Sequence, residues 1–107
     1  MRFNQPVKTK HALVELRRTE GDIAGSAKAH IKLELRDDCV YYLWRIENPD
    51  GESLGSRGRP VSLRLVPSGG DPFEFAIRHA IEGLQRYRNG RRRVFDIERW
   101  GWTEDRV

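Results

Sequence analysis

Residues 71–89, DPFEFAIRHAIEGLQRYRN, constrain the fold more than any other part of the chain, because no other long segment has helical periodicity. Asp71 is placed to cap, its carboxylate accepting from the first free backbone N–H groups. Pro72 follows at the first helical position, where a missing N–H costs nothing. Glu74, three residues after Asp71, has capping-box spacing and sets a negative charge near the positive end of the helix. Phe73, Ile77, Ala80, Ile81, Leu84 and Tyr87 recur every three or four residues and form one apolar stripe. Glu74–Arg78 and Glu82–Arg86 are acid-before-base pairs at i, i+4, worth about 0.2–0.5 kcal/mol each. Gly83 interrupts the pattern at a cost of about 1 kcal/mol against alanine. It is either a tolerated surface glycine or a point of close approach. Gly90 is the natural stop, taking the left-handed conformation past the last turn.

The stripe needs a partner layer, and the rest of the chain supplies strands. In residues 12–19, ALVELRRT, Val14 and Leu16 face inward while Glu15 and Arg17 face out. In residues 27–36, AKAHIKLELR, apolar and polar side chains alternate strictly, the mark of an antiparallel sheet with one buried and one wet face. Asp37-Asp38 turns the chain into residues 40–47, VYYLWRIE, which are strongly β-prone. There Val40, Tyr42, Trp44 and Ile46 form one face. Tyr41 and Leu43, on the other, either cover neighbouring side chains or are displayed to solvent. After the Asn48-Pro49-Asp50-Gly51 turn, residues 60–66, PVSLRLV, give a fourth strand with Val61, Leu63 and Leu65 inward. Beyond the helix, residues 94–100, VFDIERW, give a short fifth. The predicted fold is α+β: an antiparallel sheet of four to five strands packed on one long helix, in the order β-β-β-β-α-β. Residues 1–107 form a single domain, with residues 1–11 a loose, polar lead.

Composition narrows the function classes. The single Cys39 forms no disulfide within the chain and points to a reducing compartment; it is a small strand residue or, less simply, a reactive thiol. No window is long and apolar enough to span a membrane and the first ten residues are polar, so the expected location is the cytoplasm. His11, His30 and His79 fall on three different elements without ligand or triad spacing. The expectation is therefore no catalytic residue, no metal, no cofactor and no enzyme.

The net charge of +4 and the pI of about 9.6 are compatible with nucleic acid. The distribution is more informative than the total. Arg86, Arg88, Arg91, Arg92 and Arg93 cluster at the helix exit, and Arg57 and Arg59 occupy a loop. Arginine outnumbers lysine sixteen to four, either from codon bias or because arginine is the better phosphate and base-stacking side chain. Aromatics stand near both basic segments, and a cationic track with stacking faces is what single-strand binders combine.

Residues 41–63 read YYLWRIENPDGESLGSRGRPVSL. The aromatic strand, Pro49-Asp50-Gly51-Glu52, Arg57-Gly58-Arg59 and Val61-Ser62-Leu63 resemble the centre of the positive-cofactor-type transcriptional coactivators and whirly-like single-strand DNA-binding domains. The resemblance implies a curved antiparallel sheet followed by a helix, with pairs of chains binding single strands across their sheets. It also makes Trp44, Arg57 and Arg59 contacts for DNA. In this chain residues 64–70 intervene before the helix, and a VFDIERWGW tail follows it.

The sequence thus predicts a small, non-enzymatic, basic domain that binds single-stranded DNA or RNA through Trp44, Arg57, Arg59, Arg86, Arg88, Arg91, Arg92 and Arg93. A second class remains open: a protein–protein inhibitor or adaptor of phage or mobile-element type, anti-CRISPR-like, acting on a nucleic-acid-handling complex. Trp100 and Trp102 would then anchor a protein partner. Packing against the helix is the simpler role for Trp100. A homodimer through an edge strand or the tail is a further possibility.

Overall fold

A computed structural model describes residues 8–19, 25–48, 53–55, 58–89 and 92–103. One antiparallel sheet carries one α-helix on one of its faces. The strands are β1 (Lys8–Arg18), β2 (Gly25–Leu35), β3 (Cys39–Glu47), β4 (Ser53–Gly55), β5 (Arg59–Ser62) and, after the helix, β8 (Phe95–Thr103). Helix α1 spans Pro72–Arg86, and a separate two-stranded hairpin of β6 (Arg88–Asn89) and β7 (Arg92–Arg93) lies between α1 and β8. The sheet order is β4-β3-β2-β1-β8, with β5 also pairing β3. The last strand thus returns to lie beside the first, and β3 carries two short strands on its far edge.

The alternation read from the sequence is the one that packs. Ala12, Val14 and Leu16 of β1, Ala27, Ala29, Ile31 and Leu33 of β2, and Val40, Tyr42 and Ile46 of β3 are buried on the helix-bearing face. They meet Phe73, Ala76, Ile77, Ala80 and Leu84 of α1. The helix begins as its sequence dictates: the Asp71 carboxylate accepts from the Phe73 N–H at 2.9 Å, and Pro72 is the first helical residue. Ahead of it, residues 67–70 form a turn closed by Gly70 N–H donating to the Pro67 carbonyl at 2.8 Å. Gly69, at φ 79°, occupies the position of that turn where a positive φ is required.

Several boundaries differ from the sequence expectation. Strand β1 begins at Lys8, so residues 8–11, assigned to a loose lead, are paired with β2, and His11 also pairs with Thr103 of β8. The fourth strand ends at Ser62 rather than Val66. The Ser62 hydroxyl accepts from the Arg64 N–H at 3.2 Å and turns residues 63–65 into a short 3-10 helix. That turn leaves Leu65, expected inward, 59% exposed. The helix stops at Arg86, not at Gly90: Tyr87 is the C-cap in an extended conformation, its N–H donating to the Leu84 carbonyl at 3.2 Å. Gly90 lies outside the described residues. Finally, β8 is longer than expected and carries a bulge: Leu16 pairs with Ile97 but Glu15 with Arg99, so Glu98 is the extra residue.

The bulge brings both tryptophans of the tail to the helix-bearing face. It shifts the phase of β8 so that Trp100 and Trp102 pair with Val14 and Ala12 of the helix-bearing face. Trp102 is the one that packs, its Nε1–H donating to the Glu74 carboxylate at 3.2 Å and the Lys10 ammonium lying 4.8 Å from its ring centre. Trp100, expected to finish the core, remains 36% exposed and meets Trp102 edge-to-face at 5.3 Å.

Gly83 faces open space, with nothing within 4 Å of where a Cβ would stand. Gly83→Ala is therefore expected to raise stability by about 0.5–1 kcal/mol, the helix-propensity gain without a steric penalty. A urea midpoint unchanged or lowered would contradict this.

Candidate functional site

Where the C-terminal end of α1 meets β3 and β5, the helix and sheet diverge and leave a cleft of about 550 Å³. Its sheet wall is Tyr42 and Trp44 of β3 with Arg59 of β5. The register places Arg59 directly opposite Tyr42, so its side chain shares the helix-bearing face. The helix wall is His79, Glu82, Gly83 and Arg86, and Tyr87 closes one end. The aromatic rings form a connected series: Trp44 meets Tyr87 edge-to-face at 6.3 Å, and Tyr87 meets the buried Phe95 at 5.7 Å.

Each wall has a local cause. Tyr42 and Trp44 alternate with Tyr41 and Leu43 along β3 and so point to the helix side. Burial pushes the Tyr42 hydroxyl above its ordinary pKa, with the Arg59 charge acting in the opposite sense. Arg86 sits in the last helical turn, where a cation complements the carbonyl end of the helix, and pairs with Glu82 at 3.6 Å. Gly83 leaves the helix wall bare between them. Tyr87 is held as the chain leaves the helix: its carbonyl accepts from the Val94 N–H at 3.2 Å, and the Val94 carbonyl accepts from the Thr19 N–H at 2.9 Å. These bonds tie the base of the β6–β7 hairpin to β1.

Three of the residues proposed from sequence, Trp44, Arg59 and Arg86, are therefore neighbours, brought from β3, β5 and α1. Arg88, Arg92 and Arg93 lie in the β6–β7 hairpin that follows the cleft, with Arg88 opposite Arg93 and Asn89 opposite Arg92. Arg57 and Arg91 lie outside the described residues. Tyr42, Tyr87, His79 and Glu82 were not singled out as site residues. The helix-interior glycine was the one local sign that this stretch of α1 borders open space.

The helix-free face of the sheet is different in character. Its cations are interleaved with acids: Glu34 accepts from Arg36 at 2.8 Å and lies 3.5 Å from Lys32, Glu15 pairs with Arg99, and His30 lies 3.8 Å from Glu47. The Arg36 hydrogen bond holds the Glu34 carboxyl below the usual carboxylate range, and that of Arg99 does the same for Glu15. Leu43 is 38% exposed there, whereas Tyr41 is covered by neighbours on two sides. The Arg36 guanidinium lies 4.3 Å from its ring centre. Gly58 is packed so closely that a Cβ would fall 2.0 Å from the ring, so only glycine fits between the two arginines of the Arg57-Gly58-Arg59 segment. Cys39 at the start of β3 is half-buried, and burial followed by its contact with Asp38 raises the thiol above its ordinary range, away from a reactive thiolate.

Among the described residues no cluster of three or more His, Cys, Asp or Glu side chains could hold a metal ion, and no helix is long and apolar enough to cross a membrane. The fold and cleft define a small α+β domain with one helix on an antiparallel sheet. Comparison with protein-family models, with curated proteins and with solved structures gave no match. The functional conclusion therefore rests on the chemistry of the cleft.

Proposed function

We propose that this chain is a small, non-enzymatic domain that binds single-stranded DNA or RNA, with the α1–β3–β5 cleft as its stacking site and the β6–β7 hairpin as its phosphate track. The observation that carries this is the convergence of Tyr42, Trp44 and Tyr87 with Arg59 and Arg86 in one cleft. Aromatic faces beside guanidinium groups are what unstacked bases and their phosphates require. The hairpin that follows Tyr87 in the chain carries Arg88, Arg92 and Arg93, three further cations in sequence. The ion-paired, helix-free face is less suited to the same ligand. The resemblance of residues 41–63 to single-strand-binding coactivators supports the ligand class, while the use of the helix-side cleft is specific to this proposal.

Labelled oligonucleotides of DNA and RNA test it by fluorescence anisotropy. Binding at about 50 mM salt, weakening steeply as salt rises, is expected. Arg59→Ala and Arg86→Ala should each reduce the slope of log affinity against log salt by about 0.7, the value for one phosphate contact on a single strand. No binding to either nucleic acid at low salt overturns the proposal. The exposed Trp100 on the edge strand β8 favours a second possibility, an inhibitor or adaptor that docks on a protein or on a second copy of the chain. In that case Trp100→Ala, and not the arginine variants, should change the sedimentation behaviour of the protein or its complex.

A further inference from the structure

We infer that the cleft selects a guanine base of the bound strand, recognised through the Glu82 carboxylate; this rests on the single-strand binding proposed above. The cleft, at about 550 Å³, lies within the range of about 300–1,000 Å³ typical of small-ligand sites. It has room for one nucleotide turned out of its stack, not for a run of bases. Its walls suit such a guest. Trp44 and Tyr87 stand nearly perpendicular, at 86°, and so present ring faces in two directions. Opposite them, the helix wall is bare at Gly83, where even an added Cβ would have no atom within 4 Å.

The informative residue is Glu82. Its i, i+4 pair with Arg86 gives it a place on the helix, but it is also the carboxylate among the cleft's lining residues, where a phosphate has no use for it. A base edge is another matter, since it offers hydrogen-bond donors. A carboxylate has two acceptor oxygens side by side and no donor. Guanine presents two donors side by side on its Watson–Crick edge, N1–H and the N2 amino group, and can satisfy both oxygens at once. Adenine and cytosine each present one amino group next to a ring nitrogen acceptor, which faces the second oxygen unfavourably. Thymine and uracil present one N–H flanked by two carbonyls. Arg86, one turn beyond Glu82 and 3.6 Å from it, and Arg59 across the cleft are left for the phosphate.

The test uses the full chain and thymidine oligomers of about ten nucleotides, within the usual site size of a single-strand binder. One central position is thymine, adenine, cytosine or guanine. The guanine-bearing strand is expected to bind about tenfold or more tightly than the all-thymidine strand, the discrimination of one good bidentate base contact. Glu82→Gln should bring the four strands to near parity with one another on that variant, whatever its all-thymidine affinity becomes, because the amide offers one acceptor and one donor. Gly83→Leu should fill the cleft and remove the preference even where Glu82 is intact. Four strands of equal affinity would overturn the guanine assignment and leave single-strand binding standing, as would a preference that survives Glu82→Gln. Failure of every strand to bind would instead overturn the single-strand proposal itself. Guanosine 5′-monophosphate binding as tightly as the guanine strand would make the free nucleotide the ligand and overturn the assignment to a strand.

Discussion

Phe95→Ala is expected to destabilise the domain by about 3–5 kcal/mol, the usual cost of truncating a fully buried aromatic side chain. Phe95 is 1% exposed and heads the largest fully enclosed side chains of the core. It starts β8, the strand that closes the sheet against β1, with Arg18 as its cross-strand partner. A domain of this size has a total stability of about 5–15 kcal/mol, so one substitution removes a large share of it. The loss should appear as a lower urea midpoint with little change in the slope. A second consequence follows from the ring series. Tyr87 rests on Phe95 at 5.7 Å and on Trp44 at 6.3 Å, so the cavity frees the end wall of the cleft. Oligonucleotide affinity should fall in the folded fraction even though Phe95 touches no ligand. Phe95→Leu, which keeps most of the volume, should cost less on both measures. If Phe95→Ala unfolds with a midpoint close to that of the parent protein, the packing described for the β8 start is wrong.

The layers of this fold are written into its sequence where a side chain acts on its near neighbours. Asp71 and Pro72 mark the start of α1, and the helix begins there. The strict alternation in residues 27–35 records a sheet with one buried face, because side chains on a strand alternate by geometry alone. The errors arise where a competing local interaction or a distant contact intervenes. Ser62 takes the Arg64 N–H and ends β5 while the hydrophobic alternation continues through Leu63 and Leu65. The Glu98 bulge exists only relative to β1, so nothing in residues 94–100 reveals that Trp100 shares a face with Phe95 and Ile97. The same limit hides the cleft. Arg59 faces Tyr42 through strand register, and Arg86 faces both through helix docking, so their convergence has no signature in spacing along the chain. Charge clustering marked the arginines; it carried no information about the face on which Trp44 meets Tyr87.

Trp44→Ala is expected to weaken single-strand binding by about 1–3 kcal/mol, the worth of one base–aromatic stack, or roughly fivefold to 150-fold in affinity. Trp44 is only partly buried and packs on the margin of the core, so some stability is lost as well. The two effects separate when binding is measured well below the unfolding transition and expressed per folded molecule. Trp44→Phe should restore most of the stability and part of the binding, since a smaller ring still offers a stacking face. Tyr41→Ala provides the comparison from the helix-free face. It removes the ring that Arg36 covers and that Gly58 packs against, at a similar position along β3 but on the opposite side. A strand held in the cleft should be sensitive to Trp44 and nearly indifferent to Tyr41. A strand laid across the helix-free face should show the reverse order. Equal losses from both would mean that β3 acts through its packing alone, and the cleft would lose its claim to the bases. The salt slope supplies an independent check. Trp44→Ala should lower affinity at every salt concentration without changing the slope, because an uncharged ring releases no counterions, whereas Arg59→Ala should change both.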